Sequence, residues 1–313
     1  MTPELTVVIP THNPDVSRLR RTLGGLRAQN LAADRWETVL IDNASPEPIN
    51  ADMLSDSAQK NLRVACEPQL GLTAARRRGL TEARAPLMVL VDDDNVLAPD
   101  YLSRVIRLFA EHPRLGAAGG KSLPEFETMP EPWTKEFFPL LALRDPGESP
   151  AIATTLTPPG AMRREYPADA APIGAGMALR REAVAAWLDA SSLMPISDRR
   201  GAELTSGGDN DIVFTLLEHG WHVGYFPELS LTHLIPSARL APDYLARLNR
   251  GIQKSWMQVL TRHHANPWPP IASWSVPLRQ LKAWFACRGW SSRSAHIRWQ
   301  GACGHFEGRV SQQ

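Results

Sequence analysis

Residues 87–95 read LMVLVDDDN and place five apolar residues directly before three consecutive carboxylates. Such an unbroken apolar run is typical of a strand buried on both faces, as in the middle of a parallel sheet. The three carboxylates would repel one another unless a cation or several hydrogen-bond donors neutralised them. Because ligands bind outside the carboxyl ends of strands in open α/β sheets, this stretch predicts a site for a divalent metal and the phosphates bound with it.

Strands and helices alternate around this stretch over the first 120 residues. Apolar runs predict strands over 5–10, 36–41, 62–66 and 87–91, and helical spacing predicts helices over 16–29, over 71–84 and from Pro99 onward. Strands joined by helices imply right-handed crossovers and parallel pairing. We therefore predict an α/β fold with a mostly parallel central sheet flanked by helices.

The middle of the chain is rich in proline. Ten prolines fall within residues 122–172, a density that forbids long helices and disfavours central strands. This segment is predicted to be an irregular excursion over the sheet that serves as a lid. Regular structure is predicted to resume with a strand over 173–179, helices over 181–188 and 209–219, and a strand over 222–226.

Composition sets the broad class. The chain has 313 residues, of which 43% are hydrophobic and 21% charged, and its net charge of +1 gives no overall bias toward nucleic acid. The three cysteines are scattered, which argues against a zinc ribbon or a disulfide framework and favours the cytoplasm. No basic region precedes a long apolar stretch at the start and no 18-residue apolar run occurs, so neither a signal peptide nor a transmembrane helix is predicted.

Residues 239–313 form a basic region rich in tryptophan. They carry eleven Lys or Arg, two acidic residues and six Trp. Apolar residues recur at helical spacing over 245–260 and again over 278–285, with Arg and Lys between them. Two interpretations remain open: a helical cap that covers the sheet, or basic amphipathic helices that lie on an anionic bilayer. The predicted division is therefore 1–238, with halves 1–120 and 121–238, and a helical extension over 239–313.

The carboxylate stretch has the ligand chemistry of Mn²⁺ or Mg²⁺, which take hard oxygen ligands. In an extended chain Asp92 and Asp94 point the same way and Asp93 points opposite. The alternative is a solvated turn or a helix-capping cluster. Arg76, Arg77 and Arg78 diverge by about 100° each in a helix, so one or two can face a shared ligand, and Arg77 and Arg78 fit a solvated face.

Other polar residues follow predicted strands or open a helix. Asp42 ends the second strand and could accept from a base or a ribose, or form a turn with Ser45. Asp209 and Asp211 precede a helix, where they could cap it or supply a general base. His233 is either a satisfied core histidine or a further metal or diphosphate contact.

Several common site motifs are absent from the sequence. There is no GxGxxG after the first strand, no GxxxxGK[ST] and no GxSxG. These absences argue against a dinucleotide fingerprint, a P-loop and a hydrolase nucleophile elbow.

Four segments together resemble a known family. Residues 5–13 (LTVVIPTHN), 39–45 (VLIDNAS), 71–76 (GLTAAR) and 91–95 (VDDDN) occur in the order and spacing of a family 2 glycosyltransferase with the GT-A fold. The resemblance covers about residues 5–235. It implies an inverting transfer of a sugar from a nucleotide-diphosphate sugar to an acceptor hydroxyl, with Mn²⁺ or Mg²⁺, in polysaccharide or glycolipid assembly.

The resemblance also implies roles for individual residues. Pro10, Thr11 and Asn13 would flank the nucleotide, Asp42 would contact the base, Arg76 would be the nucleotide-loop arginine, Asp92 would meet the ribose with support from Asp93, and Asp94 would hold the metal. His233 is added to the metal site on the ground of its own position, not of the resemblance. The family's Glu-Asp pair falls on Gly208 and Asp209, which makes Asp209 the candidate base. Gly208 departs from the usual Glu, which could shift that duty to Asp211. Arg77 departs from a frequent asparagine.

Two other classes of protein compete with this interpretation. A sugar nucleotidyltransferase would show a glycine-rich loop after its first strand, where Pro10 to Asn13 stand. A non-catalytic nucleotide-sugar-binding or scaffold protein would be expected to lose the carboxylates, which are present. The expected partners are a nucleotide-diphosphate sugar and a saccharide or lipid-linked saccharide acceptor, with no nucleic acid, in the cytoplasm or at the cytoplasmic face of a membrane reached through 239–313.

Overall fold

The computed structural model describes residues 2–50, 54, 61–193 and 204–310. These residues form nine strands. They are β1 Leu5–Thr11, β2 Trp36–Asp42, β3 Leu62–Cys66, β4 Leu87–Leu90, β5 Asn95–Leu97, β6 Leu115–Phe126, β7 Ala151–Ala153, β8 Ala178–Arg180 and β9 His222–Ile235.

The described residues also form eight α-helices and three 3₁₀ turns. The helices are α1 Val16–Arg27, α2 Leu72–Glu82, α3 Tyr101–Glu111, α4 Arg181–Leu193, α5 Gly208–Glu218, α6 Pro242–Arg262, α7 Val276–Ala286 and α8 Arg293–Gly308. The turns are Pro132–Leu141, Ser237–Leu240 and Ser273–Ser275. The local sequence sets where α1 begins, because the Asp15 carboxylate caps the helix by accepting from the backbone N–H groups of Ser17 and Arg18.

All nine strands belong to one sheet, in the order β3-β2-β1-β4-β8-β6-β9-β5, with β7 pairing with β9. The first half is parallel as predicted, because β1 pairs with β2 and β4, and β2 pairs with β3. The second half is mixed, since β8 runs antiparallel to β4 and β6 while β6 and β9 are parallel. The predicted α/β fold with a central sheet flanked by helices is confirmed.

Helices cover both faces of the sheet. On one face α1 and α3 bury Leu19, Leu23 and Leu102 against β1 and β4. On the other face α2, α4, α5 and α6 enclose a core that includes Trp187 and Phe214. Gly79 lets α2 approach closely, because a Cβ there would lie 2.2 Å from Val8 Cγ1. This contact fixes α2, the helix that carries Arg76, against the middle of β1.

The second half of the chain differs from its predicted elements. β6 and β9 are long strands that the sequence interpretation missed or shortened, and β8 is shorter than the predicted strand over 173–179. Proline does not prevent β6, because Pro124 lies beyond the short stretch of β6 that pairs with β8. The rest of the proline-rich excursion contains the Pro132–Leu141 turn and β7, which joins the sheet by pairing with β9.

The C-terminal region contains two different kinds of helix. α6 buries Leu245 and Leu248 in one core cluster and Val259 and Leu260 in another, so this helix is a cap on the fold. By contrast, the described residues of α7 include none that is buried. In the described part of the chain, no helix has the length and apolar character needed to cross a membrane.

Candidate active site

A cavity of about 270 Å³ opens where the carboxyl ends of β1, β2 and β4 meet the starts of α2 and α5. Its lining residues are Pro10, Thr11, His12, Asn43, Leu70, Leu72, Ala75, Arg76, Asp92, Asp93, Asp94, Ala142, Gly174, Ala175, Ser206, Asp209, His233 and Arg239. Most of the predicted site residues therefore meet in one place. The proline-rich excursion supplies Ala142 to this wall, and its role as a lid stays a prediction.

The three consecutive aspartates all line the cavity, and each has a different partner. Asp92 Oδ1 lies 3.6 Å from Arg76 Nη2, Asp93 accepts from the Thr11 hydroxyl, and Asp94 pairs with Arg239. The prediction that Asp93 points away is wrong. The chain leaves the extended conformation at this point, since Asn95 N–H donates to the Asp92 carbonyl at 3.0 Å, and a turn does not alternate its side chains.

Asp93 has an unusual protonation equilibrium. Burial raises the pKa of its carboxyl from 3.8 to about 7, the neighbouring Asp94 and Asp92 charges add to the increase, and the Thr11 hydrogen bond opposes it. Near neutral pH this group is therefore partly protonated, which reduces the repulsion within the aspartate turn.

The Asp94 carboxylate is surrounded by donors. β5 and β9 pair with Asn95 opposite His233, and this register brings Asp94 Oδ1 within 3.3 Å of His233 Nε2. Arg239, from the Ser237–Leu240 turn, places Nη2 2.8 Å from Asp94 Oδ2 and Nη1 3.1 Å from His233 Nε2. Burial lowers the pKa of the Arg239 guanidinium, but Asp94, Tyr244, Asp92 and Asp93 together raise it by more, so its pKa lies above the ordinary value.

This arrangement does not fit a bound Mn²⁺ or Mg²⁺. One oxygen of Asp94 accepts from Arg239, and the other faces His233 and the Asn95 amide at 3.1 Å. Within the described residues, no group of three or more His, Cys, Asp or Glu side chains is placed to hold a metal ion. A cation at Asp94 would first have to displace Arg239, so the predicted metal role of Asp94 and His233 is not supported by these contacts.

Asp209 lies in the first turn of α5 and faces the cavity. Its Oδ2 accepts from the Gly174 backbone N–H at 3.0 Å, and its Oδ1 accepts from the Asn210 N–H at 2.9 Å. A carboxylate is favourable at a helix N-terminus because it faces the positive end of the helix dipole. Gly174 also touches Arg76, since a Cβ at Gly174 would lie 2.5 Å from Arg76 Nη2. One glycine therefore sets the positions of both the candidate base and a cavity cation.

Asp211 does not reach the cavity, contrary to the prediction that made it an alternative base. It is 1% exposed; its Oδ2 accepts from Trp187 Nε1 at 2.7 Å, and its Oδ1 lies 2.8 Å from His263 Nε2. Glu218 Oε2 lies 3.1 Å from His263 Nδ1. Asp211 points away from the cavity that Asp209 faces, because residues two apart on a helix point about 200° away from each other.

The residues predicted to flank the nucleotide divide into two groups. Pro10 and Thr11 line the cavity. Asn13 and Asp42 are not part of its wall as described, and Asp42 instead accepts from the backbone N–H groups of Ser45 and Ile49, both at 3.1 Å. These bonds match the turn alternative for Asp42 and leave the predicted base contact untested.

Sequence reasoning missed Asn43 and Arg239. The Asn43 amide donates to the carbonyls of Glu67 and Gln69 at 3.0 and 2.7 Å and accepts from Gly71 N–H at 2.8 Å, so it fixes the loop that leads into α2. Its place directly after the Asp42 strand end was the available signal. Arg239 carried no local signal, because it reaches the cavity through the pairing of β9.

The sheet and this cavity define an α/β protein that holds its ligand outside the carboxyl ends of parallel strands. The model of Glycosyl transferase family 2 matches residues 6–187, more than half of the chain. The chain belongs to that family, and the predicted family is confirmed.

Similar proteins agree with this assignment. The validoxylamine A glucosyltransferase of Streptomyces hygroscopicus subsp. limoneus is 33% identical over 110 residues, and the succinoglycan biosynthesis protein ExoW of Rhizobium meliloti is 36% identical over 104 residues. These alignments cover 34% and 32% of this chain, and only 24% and 32% of the lengths of the two relatives.

Two solved structures share the fold. S. aureus TarS 1-349 gives a TM-score of 0.51 at 13% identity, covering 98% of this chain and 90% of that one. The mannosyltransferase PcManGT from Pyrobaculum calidifontis, in complex with GDP-Man and Mn²⁺, gives 0.55 at 16% identity, covering 96% and 80%. At such low identities the likeness concerns the fold, and it confirms the GT-A prediction.

Proposed function

We propose that this protein transfers a sugar from a nucleotide-diphosphate sugar to an acceptor hydroxyl, with inversion at the anomeric carbon, in polysaccharide or glycolipid assembly. The observation that carries the proposal is the convergence of Asp209 and Arg76 on Gly174, beside the aspartate turn, in one cavity. A base and a cation on the same cavity wall are what a displacement at a sugar phosphate needs.

The donor diphosphate would face the two cavity guanidiniums. Arg76 and Arg239 are each held by one aspartate, Asp92 and Asp94, which fixes their positions before a ligand arrives. Preorganised cations stabilise the negative charge that builds on the departing nucleoside diphosphate without further rearrangement. Thr11 and Asn43 line the same cavity, on the side where the nucleotide would lie.

Asp209 is the proposed general base. Two backbone N–H groups hold its carboxylate at the cavity mouth, so it can take the proton of an acceptor hydroxyl as that oxygen attacks the anomeric carbon. Such a base contributes about 10²–10⁴-fold to the rate. Attack opposite to the leaving diphosphate inverts the configuration in a transition state with oxocarbenium character, as in glycoside cleavage.

The role of Mn²⁺ or Mg²⁺ stays a prediction from the resemblance. Because both Asp94 oxygens face donors, no step of the proposed transfer is assigned to a metal. The acceptor is proposed to be a saccharide or a lipid-linked saccharide, with peripheral membrane contact through the C-terminal region.

The first experiment identifies the donor. Calorimetric titration with a panel of uridine, guanosine and thymidine diphosphate sugars, with Mn²⁺ or with a chelator, is expected to give one clear binder. Proton NMR of the product formed with that donor reports the anomeric configuration. Product with retained configuration would contradict the role of Asp209, and binding without transfer or hydrolysis under any condition would favour a non-catalytic binder.

A matched pair of glycine variants tests whether this cavity is the donor site. Gly174→Ala adds a methyl group against Arg76 and beside the bond to Asp209, and we expect donor affinity to fall about tenfold, or about 1.4 kcal/mol. Gly24→Ala, on α1, places its Cβ no closer than 3.9 Å to Arg27 and should leave affinity unchanged. Equal affinities in the two variants would place the donor elsewhere.

A further inference from the structure

The C-terminal region exposes a stripe of large apolar side chains that the sheet does not cover. We define the apolar stripe as Trp274, Leu278, Leu281, Phe285 and Trp290, with exposed fractions of 75, 64, 55, 61 and 58%. Leu278, Leu281 and Phe285 recur at helical spacing on α7, so they share one face. The two tryptophans lie just before and just after the helix.

The stripe belongs to a firmly held helix. Beside the stripe on α7, Trp284 packs edge-on against Trp299 of α8 with ring centroids 4.6 Å apart, and Trp299 Nε1 donates to the Gln280 carbonyl at 3.0 Å. α8 in turn packs along α6, where Asn249 donates to the Ile297 carbonyl at 2.9 Å. The apolar face is therefore fixed outward before any partner arrives.

Positive charge borders the stripe. Arg279, Lys282 and Arg288 are exposed, and no carboxylate among the described residues forms an ion pair with them. Residues 244–306 contain no Asp or Glu at all. A protein surface that is apolar in the centre and basic at the border complements a layer that is apolar inside and anionic at its surface.

We infer that α7 docks this protein on an anionic bilayer, with the apolar stripe inserted among the acyl chains and Arg279, Lys282 and Arg288 at the phosphate level. This inference deepens the peripheral membrane contact proposed above by naming its face and the lipid charge it needs. Tryptophan at both ends supports the assignment, because its amphipathic ring favours the boundary between headgroups and hydrocarbon. α6, which is also basic and amphipathic, is excluded because its apolar face is already buried.

Vesicle flotation of the full chain without donor tests the inference independently of sugar transfer. We expect binding at low salt to vesicles of one part phosphatidylglycerol and two parts phosphatidylcholine, and little binding to pure phosphatidylcholine. The triple variant Leu278→Ser, Leu281→Ser, Phe285→Ser should bind about a thousandfold more weakly, since each buried apolar side chain contributes about tenfold. The double variant Arg279→Glu, Lys282→Glu should lose at least about 25-fold, since each basic residue contributes about fivefold.

A control variant guards against a general effect of exposed apolar residues. Met129 and Met162 are exposed and lie outside the stripe, so Met129→Ser, Met162→Ser should bind vesicles like the unaltered chain. Because the substituted side chains are exposed, thermal unfolding should be unchanged in every variant.

Failure of the unaltered chain to bind anionic vesicles overturns the inference, and so does unchanged binding by the triple variant. Self-association that the triple variant abolishes, without vesicle binding, would assign the stripe to a second copy of the chain. Donor titration of the same samples reports separately on the transfer proposal.

Discussion

Two clusters of carboxylates lie on different sides of α5. They contain similar residue types, but one lines the cavity and the other holds helices together. The cavity cluster comprises Asp92, Asp93, Asp94 and Asp209 with Arg76, Arg239 and His233. The interior cluster comprises Asp211 and Glu218 with His263 and Trp187. In the interior cluster both Asp211 oxygens have partners and the side chain is buried. By contrast, the hydrogen bonds of the Asp209 carboxylate within the described residues come from backbone N–H groups, and this side chain lines the cavity.

The difference teaches that a carboxylate near a predicted site is a candidate base only if its side chain is left facing the cavity. Asp211 joins α4, α5 and α6 through Trp187 and His263, so it fastens the C-terminal region to the sheet. The Asp209 carboxylate accepts from the backbone N–H groups of Asn210 and Gly174 and, among the described residues, joins no two helices. Substitution of Asp209 should therefore lower catalysis, whereas substitution of Asp211 should lower stability.

The largest expected effect is on catalysis at Asp209. Asp209→Asn keeps a carbonyl oxygen for the Gly174 N–H but cannot accept a proton, so we expect turnover to fall about 10²–10⁴-fold. Donor affinity by calorimetry and the unfolding midpoint should stay near those of the unaltered chain. If donor affinity fell as much as turnover did, Asp209 would be a structural cap and the comparison would break.

Asp211→Ala should cost stability instead. Removing this carboxylate leaves the buried Trp187 Nε1–H and His263 Nε2 without their Asp211 partner, and breaking a buried pair in this way costs about 3–5 kcal/mol. Urea unfolding measures the loss. Trp187→Phe, which removes one donor and keeps a ring, should cost less. An Asp211→Ala protein of unchanged stability that had lost turnover would return the catalytic role to Asp211.

Arg239 tests how the cavity cluster is held together without a metal. Arg239→Gln removes the guanidinium that pairs with Asp94, and we expect a loss of about 2 kcal/mol in unfolding free energy, moderated because Arg239 is partly exposed. The matched control is Arg293→Gln, whose pair with Glu131 is well exposed and should contribute less than about 1 kcal/mol.

The Arg239→Gln variant also tests metal binding. Because Arg239 and a cation would compete for the same Asp94 oxygen, Mn²⁺ binding to the donor-free protein, followed by electron paramagnetic resonance of free Mn²⁺, should become about tenfold tighter in Arg239→Gln. Tight Mn²⁺ binding by the unaltered chain, with no effect of Arg239→Gln, would show that the metal takes other ligands.

The sequence predicts the first half of the fold and the centre of the site well, for a physical reason. β1, β2 and β4 are buried on both faces, so their apolar runs identify them, and parallel strands bring their carboxyl ends to one edge. Thr11, Asp92 and Arg76 therefore meet as expected.

The remaining site residues depend on distant contacts that no local pattern encodes. Arg239 reaches Asp94 only because β9 pairs with β5 across more than 130 residues of chain. The 200° separation of Asp209 and Asp211 was readable in the sequence, since it follows from helix geometry once both residues are placed in one helix. The two basic helices α6 and α7 look alike in sequence because the pattern specifies an apolar face without specifying what covers it.

The smallest expected effect is the pH dependence of the interior cluster. Burial lowers the pKa of His263, but Asp211 and Glu218 raise it more, so its pKa lies above the ordinary 6.5. A histidine with a raised folded-state pKa contributes stability that is fully present below pH 6.5 and lost as the pH rises through the folded-state value. His263→Gln should thus be less stable than the unaltered chain by on the order of 1 kcal/mol in mildly acidic solution, with the difference shrinking in alkaline solution. Urea unfolding across this range measures it, and His264→Gln, an exposed neighbour, is the control. A difference that grew with pH would mean that His263 is neutral in the folded protein, and the interior cluster would then be held by hydrogen bonds without an ion pair.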